Sequence, residues 1–590
     1  MTNPIQNSME ASIHNFATFD DSELFYRAWL PNEQRTNQLS EKALILFHGG
    51  HEHSGRFQDL VERLALDNVS IFAWDARGHG RSPGVRGYAD HYMDVVRDVD
   101  AFIKHIERQY NIPSSQMVVM GHSVGSVTLA TWLHDYAPNV LGAVLGSPAF
   151  DVKLYVPLAY PSLRLWQKVK ANGFVSSYVK PKMLTHDQEE AESRENDELI
   201  SPDIAIRVLI SLYDTARRVI ADAHTIKTPV LLLSAGKDWV VKQTAQQKFI
   251  QQLGSTNKEM SLYPGFFHEI YHEAERARPI ARAKAFIEDC FAAEPDQTKG
   301  DLIEQGENMA IYESLQQPLS SSCWKKYYYA VTAFVLKNIG GKLSEGMKIG
   351  WKHGFDSGVM LNYVYENKAK GRTAIGQFID RIYLDSPGWA GIRQRGEHLQ
   401  QSLIVSIKEK KRDQNKVTVM DVAAGPGRYL LNVLEDLNDP SVSAICRDLD
   451  VVGLQEGQTL AKQKGLNESV IYLQGDAFDP ESLRDTIDQP DIIIVSGLYE
   501  LFSDNKMLTK SLQGIYDLLP ENGTLIYTNQ PWHPQLELIA RTLINREQKP
   551  WVMRPRSQKE MNQLVENVGF TPEKMLIDNE GIFTVSIARK

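Results

Sequence analysis

Gly121-His122-Ser123-Val124-Gly125 sets a serine between two glycines, behind the apolar run 117–120 and ahead of the helix-like Ser126-Val127-Thr128-Leu129-Ala130. A strand that turns sharply into a helix exposes a serine hydroxyl above the helix N-terminus, and the flanking glycines permit that turn. A serine used this way needs a base and an orienter, in chain order Ser, Asp, His. Asp238 follows the apolar run 230–233, and His268 closes Tyr263-Pro264-Gly265-Phe266-Phe267-His268, in a loop after another strand. His268 is expected to take the Ser123 proton and return it to the leaving group, with Asp238 fixing its tautomer. Backbone N–H groups of Val124 and of Gly50, in His48-Gly49-Gly50-His51, are the expected oxyanion donors. One motif competes. His268-Glu269-Ile270-Tyr271-His272 matches H-E-x-x-H, in which two imidazoles one helical turn apart bind zinc. No third ligand is evident, so no metal is expected and His272 reads as a helix-face residue.

About 300 residues further on, Asp421-Val422-Ala423-Ala424-Gly425-Pro426-Gly427 follows the apolar run 417–420. Small residues there let a nucleotide-like ligand approach the backbone at a helix N-terminus. The next apolar run, 442–445, ends in Cys446-Arg447-Asp448-Leu449-Asp450, whose Asp448 lies about 20 residues beyond the glycines, where a carboxylate accepts ribose hydroxyls. A dinucleotide fold shares these features. Two points separate it: Leu430 breaks G-x-G-x-x-G, and Gln474-Gly475-Asp476-Ala477-Phe478 offers an acid and an aromatic ring to an adenine.

These residues need sheets to hold them. Runs at 43–47, 70–74, 117–120 and 230–233 read as buried parallel strands, and residues 150–223 break that rhythm as a helical insertion, acidic at 187–198. Residues 293–300 suit a linker, and 301–411 read as helical. Strand-like runs at 417–420, 442–445, 470–473, 492–495 and 524–527 follow, closed by two more around Asp578-Asn579-Glu580-Gly581. Ser496-Gly497-Leu498-Tyr499-Glu500-Leu501 follows the fourth of them.

The chain has 590 residues, 42% hydrophobic and 23% charged, with net charge -10, which gives no basic footprint for nucleic acid. Cys290, Cys323 and Cys446 are too few and scattered for a disulfide framework, pointing to a reducing compartment. The polar residues 1–23 lack a signal-peptide core, and no stretch is apolar enough to span a bilayer. A cytoplasmic location is expected, with a peripheral option at the inner face of the membrane. Trp324, Tyr327, Tyr328, Val331, Phe334 and Val335 recur at helical spacing with Lys325, Lys326 and Lys337 between them. Such a helix over 324–337 either lies on an anionic membrane or caps a pocket in its own domain, the second being the reading preferred here.

With His48-Gly49-Gly50-His51-Glu52-His53-Ser54-Gly55-Arg56-Phe57, Asp75-Ala76-Arg77-Gly78-His79-Gly80-Arg81-Ser82 and Gly121–Gly125 in view, residues 10–290 resemble the monoacylglycerol lipase/lysophospholipase branch of the α/β-hydrolases. His51 departs from that pattern, where a smaller residue is usual. Residues 415–590 resemble class I S-adenosylmethionine-dependent methyltransferases, whose sheet ends in a terminal hairpin. The resemblances imply an α/β chain of two domains. An α/β-hydrolase (1–292, cap 150–223) precedes a Rossmann-like class I methyltransferase (412–590) with an N-terminal helical region (301–411). They imply hydrolysis of a monoacylglycerol or lysophospholipid ester, and S-adenosylmethionine as cofactor, with Asp421, Gly425 and Gly427 at its methionine end, Asp448 at the ribose and Asp476 at the adenine. Tyr499 and Glu500 lie where the methyl acceptor, itself unidentified, would sit. A small-ester esterase joined to a cofactor-sensing, non-catalytic methyltransferase-like domain is the alternative.

Overall fold

The computed structural model describes residues 10–31, 40–155, 159–170, 172–293, 306–486 and 488–590. Residues 294–300 of the expected linker, and 301–305 of the helical region, lie outside the described residues. Two compact units form, Met1–Asp296 and Gln297–Lys590.

The N-terminal unit is built on eight strands: β1 (Ser12–Ala17), β2 (Glu23–Trp29), β3 (Ala43–Phe47), β4 (Ser70–Trp74), β5 (Met117–His122), β6 (Gly142–Gly146), β9 (Val230–Ala235) and β10 (Lys258–Tyr263). Their order in the sheet is β1-β2-β4-β3-β5-β6-β9-β10. Strand β2 runs antiparallel to both its neighbours, β1 and β4, and every other pair is parallel. Every residue of β3, β4, β5, β6 and β9 is buried, as strands covered on both faces require. The apolar runs that announce β3, β4, β5 and β9 arise from this burial. The insertion at 150–223 is less purely helical than expected: β7 (Phe174–Ser176) pairs antiparallel with β8 (Asp203–Ala205). Helices α2 (Gln188–Glu195) and α3 (Ile206–Ala221) flank β8, while α1 (Val124–Tyr136) lies earlier, directly behind β5.

The C-terminal unit carries β11 (Val417–Asp421), β12 (Val442–Asp448), β13 (Val470–Gln474), β14 (Ile492–Val495), β15 (Thr524–Asn529), β16 (Thr571–Ile577) and β17 (Thr584–Arg589). Their order is β13-β12-β11-β14-β15-β17-β16, with only β17 antiparallel to its neighbours. The expected terminal hairpin is therefore present, and its second strand lies between β15 and the first. Ahead of the sheet come α4 (Trp324–Val335), a π-helical turn (Leu336–Gly340), α5 (Glu345–His353), α6 (Ala374–Leu384) and the 27-residue α7 (Pro387–Asp413). Phe355, Met360, Tyr363, Leu384, Trp389 and Ile392 from this region form a separate core with Ile582 and Phe583.

Candidate functional site

Ser123 sits between β5 and α1 at φ 51° and ψ −113°, a conformation a side-chain-bearing residue holds only when its surroundings enforce it. The enforcement is steric. A Cβ on Gly125 would stand 2.5 Å from the carbonyl oxygens of Phe47 and His48, and one on Gly121 would stand 2.8 Å from the Gly125 backbone. Packed this tightly, the turn presents the Ser123 hydroxyl to His268 Nε2 at 2.8 Å, and His268 Nδ1 lies 2.7 Å from Asp238 Oδ2. Asp238 Oδ1 accepts the Val240 and Val241 amides at 2.7 and 2.9 Å. Burial pushes the Asp238 carboxyl up, but His268 and the two amides outweigh it and hold it below the usual range. Three residues 145 positions apart at most thus converge where the spacing placed them.

The two expected oxyanion donors face the same space. Gly50 lies against Val124, since a Cβ on it would meet Val124 Cγ2 at 3.1 Å, and Val124 opens α1, where an N–H has no intrahelical partner. Ser123, His268, Gly50 and Val124 border a cavity of about 780 Å³ whose walls include Leu154, Leu163, Trp166, Leu209 and Leu212. His51, at φ 65°, forms part of its wall, and burial lowers its imidazole pKa.

The zinc alternative fails on this geometry. Both His268 nitrogens are engaged, and residues 268–272 form turns rather than the helix that H-E-x-x-H requires. His272 is accordingly a buried residue and not one on a helix face. Glu269 instead belongs to a buried group that spacing did not reveal. His122 Nδ1 lies 3.6 Å from both Glu52 and Glu269, and its Nε2 donates to the His268 carbonyl at 3.1 Å. Arg194, from α2, pairs with Glu52 and lies 3.3 Å from Glu269, while Glu52 also accepts the Gly49 amide at 3.1 Å. Burial works against a charged His122, but Glu269 and Glu52 overcome it and raise the imidazole to about 9. Although Glu52, His122 and Glu269 converge closely enough to hold a metal ion, the Arg194 guanidinium already occupies the acid pair. This group joins the insertion to the loop of Gly49 and Gly50 and to the residue before Ser123.

In the C-terminal unit, β11 leads into the loop 421–427. Gly425 and Gly427 adopt φ 50° and 70°, and a Cβ on Gly425 would meet nothing within 4 Å, so a ligand can lie on the loop. Asp448, half-buried at the end of β12, accepts the Gly425 amide at 2.8 Å and the Asp450 amide at 2.8 Å. Asp450 is exposed and caps the following helix, which leaves Asp448 as the carboxylate at the loop. Asp476 Oδ1 accepts the Phe478 amide at 2.8 Å.

Two expectations need correction. Asp421 does not project to the ligand side. It is fully buried, its carboxylate accepts the Ala423 amide at 3.2 Å and the Tyr429 hydroxyl, and burial raises its pKa to about 7. It shapes the loop from beneath. Tyr499 is also directed away from any acceptor: it is 1% exposed in the core, 3.0 Å from the Ser511 hydroxyl. Its neighbour Glu500 borders a cavity of about 280 Å³, together with Gly497 and Arg395. The expected cap over such a pocket is supplied by Leu336, α5 and the residues after it, because α4 leaves Trp324, Tyr327, Tyr328, Val331 and Phe334 exposed.

Comparison with known proteins matches both units. A family model described as "Serine aminopeptidase, S33" matches residues 38–275, and one described as "Putative methyltransferase" matches 283–590. The chain is 43% identical over 592 residues to "Uncharacterized protein YnbC" of Escherichia coli, covering 99% of both chains. It is 26% identical to "Phospholipase YtpA" of Bacillus subtilis over 42% of this chain and 94% of that one. It is 24% identical to "Monoacylglycerol lipase" of Mycolicibacterium smegmatis over 46% of this chain and 94% of the other. The chain belongs to the methyltransferase family matched over residues 283–590 and, over its full length, to the family of E. coli YnbC, joining a lipase/lysophospholipase-like α/β-hydrolase domain to a methyltransferase domain.

Proposed function

We propose that the N-terminal unit hydrolyses a monoacylglycerol or lysophospholipid ester through Ser123, Asp238 and His268, and that the C-terminal unit transfers a methyl group from S-adenosylmethionine, making the chain bifunctional. The observation that carries the first half is the unbroken Ser123–His268–Asp238 chain opening onto a 780 Å³ apolar cavity. A cavity of that size and lining suits an acyl chain better than a small ester. His268 withdraws the Ser123 proton as the hydroxyl attacks the ester carbonyl, and the Gly50 and Val124 amides receive the developing oxyanion. His268 then returns the proton to the leaving alcohol, and a water activated the same way releases the acid.

The open loop at Gly425 supports the second half. Gly425 and Gly427 would admit the methionine end beside the first-turn amides of the helix Arg428–Leu437, Asp448 would accept ribose hydroxyls, and Asp476 with Phe478 would border the adenine. When bound, S-adenosylmethionine supplies an electrophilic methyl group on a sulfonium sulfur. Incubating a lipid extract supplemented with S-adenosylmethionine with the wild type, Ser123→Ala and Asp448→Ala, followed by untargeted mass spectrometry, tests both halves. An ester lost only with active Ser123, and a methylated product formed only with Asp448, are expected. An ester consumed equally by Ser123→Ala overturns the first half, and no methylated product from any sample overturns the second.

The exposed row on α4 favours one partner. Trp324 is 69% and Phe334 64% exposed, with Lys325, Lys326 and Lys337 nearby. We infer contact with the cytoplasmic face of an anionic membrane, since no helix among the described residues is long and apolar enough to cross one. Flotation with vesicles containing phosphatidylglycerol is expected for the wild type and lost when Trp324, Tyr328 and Phe334 become serine. Flotation unchanged by that triple substitution overturns it.

A further inference from the structure

Four side chains that border the 280 Å³ cavity each bury a polar atom with no hydrogen-bond partner: Arg395 Nε, Glu500 Oε2, Gln530 Nε2 and Trp551 Nε1. Buried polar atoms are normally paired, so four around one cavity call for a ligand. Arg395, Glu500 and Gln530 are 6%, 7% and 3% exposed. Three of the atoms are donors and one an acceptor.

The charges at this cavity are already matched. Arg395 lies 3.5 Å from Glu500, which also accepts the Thr528 hydroxyl at 2.7 Å, and Asp356 lies 4.0 Å from Arg546. His533, whose Nδ1 accepts the Gln535 amide at 3.0 Å, is lowered to about 4 by burial and is therefore neutral. A charged ligand would find no uncompensated partner, whereas an uncharged polar group would. Around these groups stand aromatic rings: Trp389 stacks with Trp551 at 6.3 Å, Tyr383 meets Trp389 edge-on at 5.8 Å, and Arg395 lies over the Phe583 ring at 5.0 Å. Such walls suit a planar apolar body.

Position ties the cavity to the loop 421–427. Gly497 and Glu500 follow β14, which pairs with β11, the strand that leads into the loop. Arg395 packs against the same strand end, since a Cβ on Gly497 would stand 3.3 Å from Arg395 Nη2. None of Asp421, Gly425, Gly427, Asp448 or Asp476 borders the cavity, so cavity and proposed cofactor residues are different sets of side chains after neighbouring strands.

We propose that this cavity holds the methyl acceptor, and that the acceptor is an uncharged, planar hydroxyaromatic molecule with a second oxygen beside the hydroxyl. This rests on the methyltransferase reading above. The hydroxyl donates to Glu500 Oε2, and the neighbouring oxygen accepts from Arg395, Gln530 or Trp551. During transfer the hydroxyl oxygen forms a bond to the methyl carbon as the carbon–sulfur bond breaks. The electron pair of that bond stays on sulfur, leaving a neutral thioether, and the hydroxyl proton passes to the Glu500 carboxylate.

The test uses the full-length protein and two naphthalene probes, 3-methoxy-2-naphthol and 2,3-dimethoxynaphthalene, with binding read from naphthalene fluorescence. S-adenosylhomocysteine binding, measured by calorimetry, reports separately on the cofactor site. The wild type is expected to bind the naphthol at least tenfold more tightly than the dimethoxy compound, which lacks the donor. Glu500→Leu is expected to abolish that preference. Gln530→Leu, which removes an already unpaired amide, is expected to weaken both probes about equally while preserving the preference. Equal binding of the two probes to the wild type, or no binding of either, overturns the proposal even when S-adenosylhomocysteine binds. A preference for the naphthol that depends on Glu500, without S-adenosylhomocysteine binding, upholds the ligand class and instead overturns the methyltransferase reading on which its role depends.

Discussion

Around Ser123, every polar atom of the candidate triad has a partner: the hydroxyl on His268, both imidazole nitrogens, and both Asp238 oxygens. Around Glu500, buried donors and an acceptor have none, and in the glycine loop after the neighbouring strand a Cβ on Gly425 would meet nothing within 4 Å. The first site carries nucleophile, base and orienter within the chain and can be complete without a ligand. On the proposed reading, the second would borrow its reactive group and its acceptor, and its own residues would be complete only with both bound. The state of the polar atoms thus distinguishes chemistry that a chain performs itself from chemistry it arranges for others.

The sharpest test of the self-sufficient site is Ser123→Ala, which should lower ester hydrolysis by about 10⁴-fold or more. Steady-state assays on a monoacylglycerol would show it, and a loss under tenfold would mean that another group is the nucleophile. Arg194→Met should strip the buried Glu52–Glu269 pair of its closest cation, leaving only His122 at 3.6 Å and, at Glu52, Arg56 at 3.7 Å, at about 3–5 kcal/mol of stability. Denaturant unfolding of the hydrolase unit would measure this; a variant within 1 kcal/mol of wild type would remove Arg194 from the argument.

His122 gives a related effect with a defined sign. Its folded-state pKa is raised, from the ordinary 6.5 to about 9. The stability it contributes is fully present below pH 6.5 and is lost as pH rises through 9, by about 3 kcal/mol. Unfolding free energies from pH 6 to 10 should fall over that window, and His122→Gln should flatten the slope. The smallest effect expected is that of Asp448→Ala: weaker S-adenosylhomocysteine binding by about 10- to 100-fold, with hydrolysis unchanged. If hydrolysis changed as well, the separation between the two chemistries would be lost.

What the sequence revealed follows from how local each signal is. Ser123 and Asp238 each follow a fully buried strand, and a run such as 230–233 announces both strand and end. The same holds for Gly425 and Asp448 after β11 and β12. His268, in contrast, follows the half-exposed edge strand β10 and was legible from its Pro264-Gly265 turn and its place in the Ser, Asp, His order. Arg194, Glu52, His122 and Glu269 were hidden because four segments, up to 217 residues apart from Glu52 to Glu269, meet only through the tertiary fold. Arg395 was hidden for another reason: α7 is a long helix, and its periodicity does not say which turn faces a cavity. At Tyr499 and Glu500 the loop was located correctly, but adjacent side chains diverge. The hydrophobic ring takes the core and the carboxylate takes the cavity, a choice made by packing around β14 and the helix Asn505–Leu518.

The place of β17 in its sheet bears on how the protein is made. Residues 584–589 lie between β15 and β16, so the C-terminal sheet stays split until the ribosome has delivered its last-translated strand. The hydrolase sheet, in contrast, has all its strands by residue 263. At about 5–20 residues per second, translation of 297–590 takes roughly 15–60 s. A newborn chain can therefore hold an assembled esterase for that interval while its methyltransferase half still exposes an unpaired strand edge, which is when chaperone engagement is most useful to it.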